Sequence, residues 1–301
     1  MEQAASHILP LCGMTFLFLA GAGGWLSALR RLPGESLATS TPLYNYPNYL
    51  DDYSDLSSEK LIDQFYAHGA KGWTETHPAA GPPKDFSKIW EANDNVVNFY
   101  LGDICGKGLP AHLFQVSCTT LLSQASGVSL DPLGVVSEVN GSLALRELDG
   151  RYATLLYGSL DLPSGRLRLV SAGHPSPLRL RPDGPADVLR CEPGLPLGIQ
   201  EQSRFTQSEF HLEPGDTLLL FTDGITDTRN QERVPFGVVS LQSAAENCPV
   251  ACPRLLVEEV FDEVKKYGDS PGNDRTAMAI QFQGRASGFE TNRLDLPYAL
   301  C

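Results

Sequence analysis

The alternation of apolar and polar positions divides the second part of the chain into strands and helices. Short runs rich in apolar, β-branched and aromatic residues are typical of strands with buried faces, and Gly, Pro, Asp or Ser residues mark the turns between them. These runs predict strands over 95–101, 152–162, 166–170, 177–181, 187–191, 206–212, 217–222 and 277–282.

Three segments instead repeat their apolar residues at helical spacing. The first helix is predicted over 111–122, with Pro110 in its first turn, where a missing N–H is tolerated. The second runs from 130 to 148, with Asp131 as its N-cap, and the third covers 253–266. Many strands combined with a few helices predict an α+β fold of antiparallel sheets covered by helices.

The first residues have a different pattern. Residues 8–29 carry no charge and precede Arg30 and Arg31. This length suffices to cross a bilayer, and the two arginines favour a cytoplasmic C-terminal side. We therefore predict a membrane anchor over 1–31, which would hold a cytoplasmic catalytic domain at the inner membrane. A buried segment or a non-native leader remains the alternative, because Pro10 and several glycines weaken the helix.

Two further segments flank the strand-rich part. Residues 32–83 are rich in Pro, Ser, Thr, Tyr and Asn and are predicted to form a linker. A short helix is expected within it over 57–66, with a serine cap. Residues 284–301 are predicted to be a polar C-terminal tail.

Composition narrows the classes of partner. The 301 residues carry a net charge of −13 without a basic patch, which argues against a nucleic-acid partner. The seven cysteines contain no Cys-x-x-Cys pair, which argues against zinc and suits a reducing cytosol. An acidic surface repels phosphorylated substrates unless a bound cation reverses the local charge.

Aspartates recur where strands end. Asp103 lies in Gly-Asp-Ile-Cys-Gly-Lys-Gly-Leu-Pro-Ala, between a predicted strand and a helix, and Asp223 closes the strand over 217–222. Asp274 precedes the last strand, and Asp85 comes 18 residues before Asp103. Carboxylates in such positions suggest a hard-cation site with oxygen ligands, although any one of them alone could be a turn or capping residue. A P-loop fits poorly, since the glycine spacing is one residue short and Gly108 replaces the Ser or Thr that would hold magnesium.

The Asp103 segment resembles the signature of the SpoIIE/RsbU-type branch of the PPM metal-dependent protein phosphatases. Further motifs follow in the family's order, and the resemblance covers 84–283. They are Tyr152-Ala153-Thr154, Ala172-Gly173-His174-Pro175, Gly194-Leu195-Pro196, Asp223-Gly224 and Asp274-Arg275-Thr276. The resemblance implies a PPM-type phosphatase domain over 84–283, built as a sandwich of two antiparallel sheets flanked by helices, with metal ions at one end.

The resemblance also implies a site and an activity. Two Mn²⁺ or Mg²⁺ ions would be held by Asp85, Asp103, the Ile104 carbonyl, Asp223 and Asp274, with Asp103 and Asp223 as the catalytic residues. A metal-activated water would then hydrolyse a phosphoserine or phosphothreonine on a partner protein. In this family that partner is often an anti-sigma-factor antagonist in bacterial signalling. The sequence leaves a homodimer open.

Some positions depart from the family pattern. Pro83 and Lys84 replace two glycines before Asp85, and Lys88 replaces a second aspartate. These changes motivate the alternative of a catalytically impaired pseudophosphatase that acts as a binding module. His174 is expected to be a turn histidine rather than a catalytic one, and Lys107 a solvated lysine rather than a phosphate ligand. A phosphatase with a covalent aspartate needs an Asp-x-Asp pair after an N-terminal strand, and none is present there.

Overall fold

The computed structural model describes residues 60–284, except 68, 80, 146–149, 183, 249–251 and 269–271. The predicted anchor over 1–31 and residues 285–301 of the predicted tail lie outside this range. Within the described residues, no helix combines the length and the apolar character needed to cross a membrane.

The described chain forms twelve strands and five helices. The strands are β1 (Leu61–Ala67), β2 (Ala70–His77), β3 (Phe86–Asn93), β4 (Val96–Ile104), β5 (Ala153–Asp161), β6 (Arg166–Ala172), β7 (Leu178–Leu180), β8 (Asp187–Val188), β9 (Pro193–Gly194), β10 (Gln207–His211), β11 (Thr217–Phe221) and β12 (Arg275–Phe282). The helices are α1 (Leu109–Val128), α2 (Pro132–Ala144), α3 (Asp223–Thr226), α4 (Gly237–Glu246) and α5 (Pro253–Tyr267).

The strands form two six-stranded sheets. One has the order β1-β2-β12-β11-β7-β8, and the other has the order β10-β6-β5-β4-β3, with β9 beside β6. The pairs are antiparallel except for the short parallel pair between β6 and β9. The predicted α+β sandwich is therefore confirmed.

Three apolar cores separate four layers. The core between the sheets takes alternate residues of β4 (Val97, Phe99 and Leu101) together with Leu218 and Leu220 of β11. The intervening residues of the strands face the helices. On one side α1 and α2 pack on β4, β5 and β6, and on the other α4 and α5 pack on β11 and β12. Both faces of the central strands are thus buried, which explains why their sequences are apolar without alternation.

Helices α1, α2 and α5 lie at their predicted positions, although α1 continues to Val128 and α2 ends earlier than predicted, at Ala144. Asp131 caps α2, since its Oδ2 accepts the N–H of Gly134 at 2.9 Å. Helix α4 was not expected from the sequence, because its first turn holds Gly237 and two valines, which are weak helix formers. Leu241, Ala244 and Ala245 nevertheless bury it against its sheet.

The predicted helix over 57–66 is wrong in its described part. Residues 61–67 form β1, which pairs along its whole length with β2. Strand β2 in turn pairs with β12 from Ala70 to His77. The second part of the predicted linker over 32–83 therefore belongs to the sandwich. Cross-strand pairing, which a local helical pattern cannot reveal, decides the structure here.

A candidate metal centre at the end of the sandwich

The candidate site lies where the core between the sheets ends. Alternation along β4 puts Asp103 on the same side as Val97, Phe99 and Leu101, which all lie in that core. Asp103 is next to the last residue of β4, so the apolar stripe ends in a carboxylate. Because Asp103 lies at the end of the strand, its charge stands at the edge of the apolar core and not inside it.

The register of the β3–β4 hairpin brings Asp85 beside Asp103. Phe86 pairs with Gly102, so the residue before β3 lies next to the end of β4. A Cβ on Gly102 would lie 2.5 Å from the Thr154 carbonyl oxygen and equally close to the Phe86 ring, so this position requires glycine. The glycine of the Asp103 motif therefore permits the close approach of three strands.

Asp85 connects the two sheets. Its Oδ2 accepts hydrogen bonds from Thr222 Oγ1 at 2.9 Å and from Thr276 Oγ1 at 2.6 Å. Both threonines belong to the opposite sheet or its end, and Thr76 Oγ1 lies 2.9 Å from Thr276 Oγ1. Burial, followed by the charge of Asp103, raises the pKa of Asp85 well above its usual value.

Asp103 carries a polar atom that lacks a partner. Its Oδ1 is buried and makes no hydrogen bond with any described residue. Burial raises the pKa of Asp103 to about 6, and the charges of Asp223 and Asp274 act in the same direction. The positive charge of Lys84 opposes this shift. The carboxylate is therefore short of compensating charge.

Asp223 is the first residue of α3, directly after β11. Burial raises its pKa, and Asp227 adds to the shift. The next residue, Gly224, packs against the main chain of Asp274 so closely that a Cβ would overlap the Asp274 carbonyl oxygen. The Asp-Gly sequence thus places the start of α3 directly on the segment that enters β12.

Asp274 holds the loop between β2 and β3 by hydrogen bonds. It is 3% exposed, and its two oxygens accept the main-chain N–H groups of Ala79 at 2.8 Å and of Lys84 at 2.6 Å. These bonds give hydrogen-bond partners to two main-chain N–H groups of the loop that leads to Asp85. Each oxygen retains a second lone pair, so the hydrogen bonds alone do not prevent Asp274 from also contacting a cation.

The carboxylates suit a divalent cation, but they do not form a complete coordination shell. Within the described residues, no three His, Cys, Asp or Glu side chains are close enough to enclose a metal ion. Yet the orphaned oxygen of Asp103 and the raised pKa values of Asp85, Asp103 and Asp223 all indicate uncompensated negative charge. A divalent cation is the kind of group that relieves such an excess.

The sequence also raised His174 and Lys107 as candidates for this site. His174 is buried, and its Nδ1 lies 3.0 Å from Thr154 Oγ1. Ser171 binds both the N–H and the carbonyl of His174, as expected for a turn histidine. Burial lowers the pKa of His174 to about 3, so its ring is neutral. Lys107 is exposed.

Sequence reasoning missed three supporting residues. Thr222 and Thr276 hold Asp85, and Gln115 of α1 donates its amide to the carbonyls of Pro83 at 3.2 Å and Asp85 at 3.0 Å. The threonines stand beside aspartates in Thr222-Asp223 and Asp274-Arg275-Thr276. That adjacency was a usable signal, because hydroxyls often orient carboxylates. Nothing in the α1 pattern singled out Gln115.

The four-layer sandwich has the fold of PP2C-type domains, as its alignment with the SpoIIE phosphatase domain shows. The sequence profile of the SpoIIE family (Stage II sporulation protein E) matches residues 93–283. Since this match covers more than half of the chain, the protein belongs to the SpoIIE family.

Known relatives agree with this assignment. The chain is 25% identical over 185 residues to the phosphoserine phosphatase RsbU of Bacillus subtilis, covering 61% of this chain and 55% of RsbU. It is 26% identical over 187 residues to protein IcfG of Synechocystis, covering 53% of this chain and 29% of IcfG. The chain thus spans about half or less of the length of these relatives.

Solved structures show the same fold. The RsbU and RsbW domains of Rv1364c from Mycobacterium tuberculosis align with a TM-score of 0.64 at 24% identity, over 73% of this chain and 62% of that one. The PP2C phosphatase domain of Bacillus subtilis SpoIIE aligns at 0.63 and 17%, over 75% and 72%. The catalytic domain of the phosphatase PstP, solved with two manganese ions, aligns at 0.52 and 15%, over 71% and 98%.

Proposed function

We propose that the protein is a metal-dependent serine/threonine protein phosphatase. The single observation that carries the proposal is the buried, unpartnered Asp103 Oδ1 among acidic neighbours at the end of a PP2C-type sandwich. Membership of the SpoIIE family supports it, as does the relative RsbU, which is named a phosphoserine phosphatase.

The proposed cofactor is a pair of Mn²⁺ or Mg²⁺ ions. Their ligands would come from Asp85, Asp103, the Ile104 carbonyl, Asp223 and Asp274, and the manganese-bound PstP structure supports this choice of metal. Divalent ions supply a hydroxide-like water at neutral pH and neutralise phosphate oxygens.

The chain's own residues position these ligands. Thr222 and Thr276 both donate to Oδ2 of Asp85. These two hydrogen bonds fix the orientation of the carboxylate and therefore the position of its other oxygen. Gly102 lets Asp103 approach the hairpin, and Gly224 sets Asp223 beside Asp274. Each of these contacts fixes a carboxylate before any cation arrives, which is how a site is preorganised.

The proposed substrate is a phosphoserine or phosphothreonine on a partner protein, such as an anti-sigma-factor antagonist in bacterial signalling. The net charge of −13 repels a phosphorylated protein, and cations bound at the site would reverse the charge locally. The membrane anchor over 8–29, the cytoplasmic location and a homodimer remain predictions.

The test is phosphate release by the full chain from an aryl phosphate and from a phosphoserine peptide, with manganese and with EDTA. We expect manganese-dependent release in the wild type and a loss of at least about 10²-fold in Asp223→Asn, since that carboxylate would contact the reacting centre. Asp94→Asn makes the same charge change at an exposed turn and should retain full activity. Wild-type activity in Asp223→Asn would refute the site.

A pseudophosphatase is the second candidate. It is favoured by the departures from the family pattern at Pro83, Lys84 and Lys88. In that case the protein would bind its phosphorylated partner without releasing phosphate. Absence of turnover in the wild type, together with retained binding of a phosphopeptide, would select this alternative.

A further inference from the structure

Three basic residues lie in one row across the sheet that contains β12. Arg275, the first residue of β12, pairs directly with His77, the last residue of β2. Because Leu61 pairs with Thr76, the same antiparallel register places Lys60 opposite His77. Residues that lie opposite each other on neighbouring strands point to the same side of a sheet. Lys60, His77 and Arg275, here called the basic row, therefore share one face.

The basic row faces helix α5 and not the core between the sheets. Ala277 and Ala279 of β12 lie in the core beneath α5, and alternation puts Arg275 on their side. The ring of His77 stacks on Phe261 of α5, with 3.8 Å between the ring centroids. Since Arg275 directly follows Asp274, the row lies at the end of the sandwich that carries the candidate metal centre.

Two members of the basic row meet on one buried carboxylate. Glu75 is 2% exposed, and its Oε1 accepts a hydrogen bond from Lys60 Nζ at 3.2 Å and lies 2.6 Å from His77 Nε2. Both basic side chains nevertheless reach the surface, since that of Lys60 is 52% exposed and that of His77 is 31% exposed. An ammonium group has three donors, so Glu75 orients Lys60 and leaves donors for a further acceptor.

Arg275 has a buried donor without an acceptor. A Cβ on Gly224 would lie 3.3 Å from the Cγ of Arg275, so the side chain packs against the first turn of α3. Its Nε, two bonds further along, is buried and makes no hydrogen bond with any described residue. The ion pairs among the described residues involve other arginines. A guanidinium in this state calls for an acceptor from outside the chain.

The charges of the basic row suit an anion. Lys60 and Arg275 are positive, and Glu75 alone opposes them, so this surface is locally positive in a protein with a net charge of −13. Arginine binds carboxylates and phosphates through paired hydrogen bonds. The row also adjoins the proposed metal site, because Arg275 packs on Gly224, the residue after Asp223.

We propose that the basic row binds an oxyanion of the phosphorylated partner protein, either the carboxylate of an acidic side chain or a second phosphate, close to the phosphoserine. This inference rests on the proposed function and adds to it the recognition of the residues that flank the substrate phosphate. The Arg275 guanidinium lies within roughly 10 Å of the Asp274 main chain, which corresponds to about three residues of an extended peptide. The recognised group is therefore expected within about three positions of the phosphoserine.

Arg254 provides a matched control on the same face of the sheet. Its guanidinium lies 5.5 Å from the centroid of the Trp73 ring, and its Nε donates to Glu258 at 2.8 Å. Trp73 comes four residues before His77 on β2, which separates Arg254 from the row by roughly 13 Å. Replacing either arginine with glutamine changes the net charge equally, so a general charge effect would appear in both variants.

The experiment measures the binding of three synthetic peptides to the full chain by calorimetry in EDTA. Each peptide has a central serine, the product of the proposed reaction, so binding requires neither metal nor turnover. The three residues on each side are all alanine, all glutamate, or alanine with one phosphoserine on each side. We expect the wild type to bind at least one acidic peptide about tenfold more tightly than the alanine peptide, because charge-assisted hydrogen bonds have this effect.

The variants assign this preference to the basic row. Arg275→Gln should reduce it to within about twofold, whereas Arg254→Gln should leave it unchanged. Lys60→Gln should reduce it about threefold, because an exposed charge is partly screened by solvent. Lys60 makes no contact with Gly224 in its close packing, so this variant tests the row without disturbing α3. The acidic peptide that binds more tightly identifies the source of the oxyanion.

The inference is overturned if the wild type binds the three peptides equally or binds none of them. It is also overturned if Arg254→Gln removes the preference as fully as Arg275→Gln does. These outcomes are separate from those of the proposed function. A preference for acidic peptides without phosphate release would refute the phosphatase activity alone, whereas phosphate release without the preference would refute the basic row alone.

Discussion

Replacing Asp103 with asparagine should stabilise the metal-free protein, even though it removes the central residue of the proposed site. The Asp103 side chain is half-buried, its buried Oδ1 has no partner among the described residues, and the charges of Asp223 and Asp274 act on it. An amide of the same shape carries no charge, so the substitution removes the repulsion and the desolvation of the ion while keeping the packing.

The magnitude follows from the pKa. Asp103 titrates at about 6 in the fold, against 3.8 for the free side chain. The difference between these two pKa values corresponds to roughly 3 kcal/mol at neutral pH. Because the folded pKa is raised, the stability linked to protonated Asp103 is present below 3.8 and is lost as the pH rises through about 6. The gain in Asp103→Asn should thus be about 3 kcal/mol at about pH 7.5 and about half of that at about pH 5.

Urea unfolding in EDTA at these two pH values is the assay. Asp94→Asn serves as the control, because Asp94 is exposed in the β3–β4 turn and makes the same charge change. It should shift the free energy of unfolding by less than about 0.5 kcal/mol. A less stable Asp103→Asn at the higher pH, or an equal gain at both pH values, would refute the argument that a buried ionised carboxylate strains this end of the sandwich.

Other substitutions test the contacts that build the site. Gly224→Ala places a Cβ on the Asp274 carbonyl oxygen and should lower the free energy of unfolding in urea by about 2 kcal/mol or more. Gly127→Ala, in α1 with open space around it, should instead raise it by about 0.5–1 kcal/mol, and equal effects of the two would contradict the close approach. Thr276→Val removes the 2.6 Å hydrogen bond to Asp85 and should cost about 1–3 kcal/mol. An unchanged urea midpoint would show that this bond contributes nothing.

The sequence predicts the sandwich well where one strand or helix carries its own signal. Asp131 and Pro132 identify the start of α2, and the apolar runs at 96–104 and 217–221 identify central strands. Strand β1 carries no such signal of its own. Its apolar residues at 61, 62, 65 and 66 follow helical spacing, and only its pairing with β2 makes it a strand. Such pairing depends on residues from distant parts of the chain, so local pattern cannot supply it.

The site shows the same division. Strand-end positions single out the acidic residues, and the pairing of Phe86 with Gly102 places Asp85 beside the end of β4. The hydrogen bonds of these residues cannot be predicted from the sequence. That Asp274 holds the loop through Ala79 and Lys84, and that Thr222 supports Asp85, depends on how the two sheets meet.

The bridge from Asp85 to Thr222 and Thr276 has a consequence for the order of folding. These partners lie 137 and 191 residues away along the chain, so neither bond can form before both sheets have docked. Contacts of such long range are closed late, at a high entropic cost. Metal capture would then report the completion of folding. Added Mn²⁺ should slow unfolding and leave the rate of folding almost unchanged.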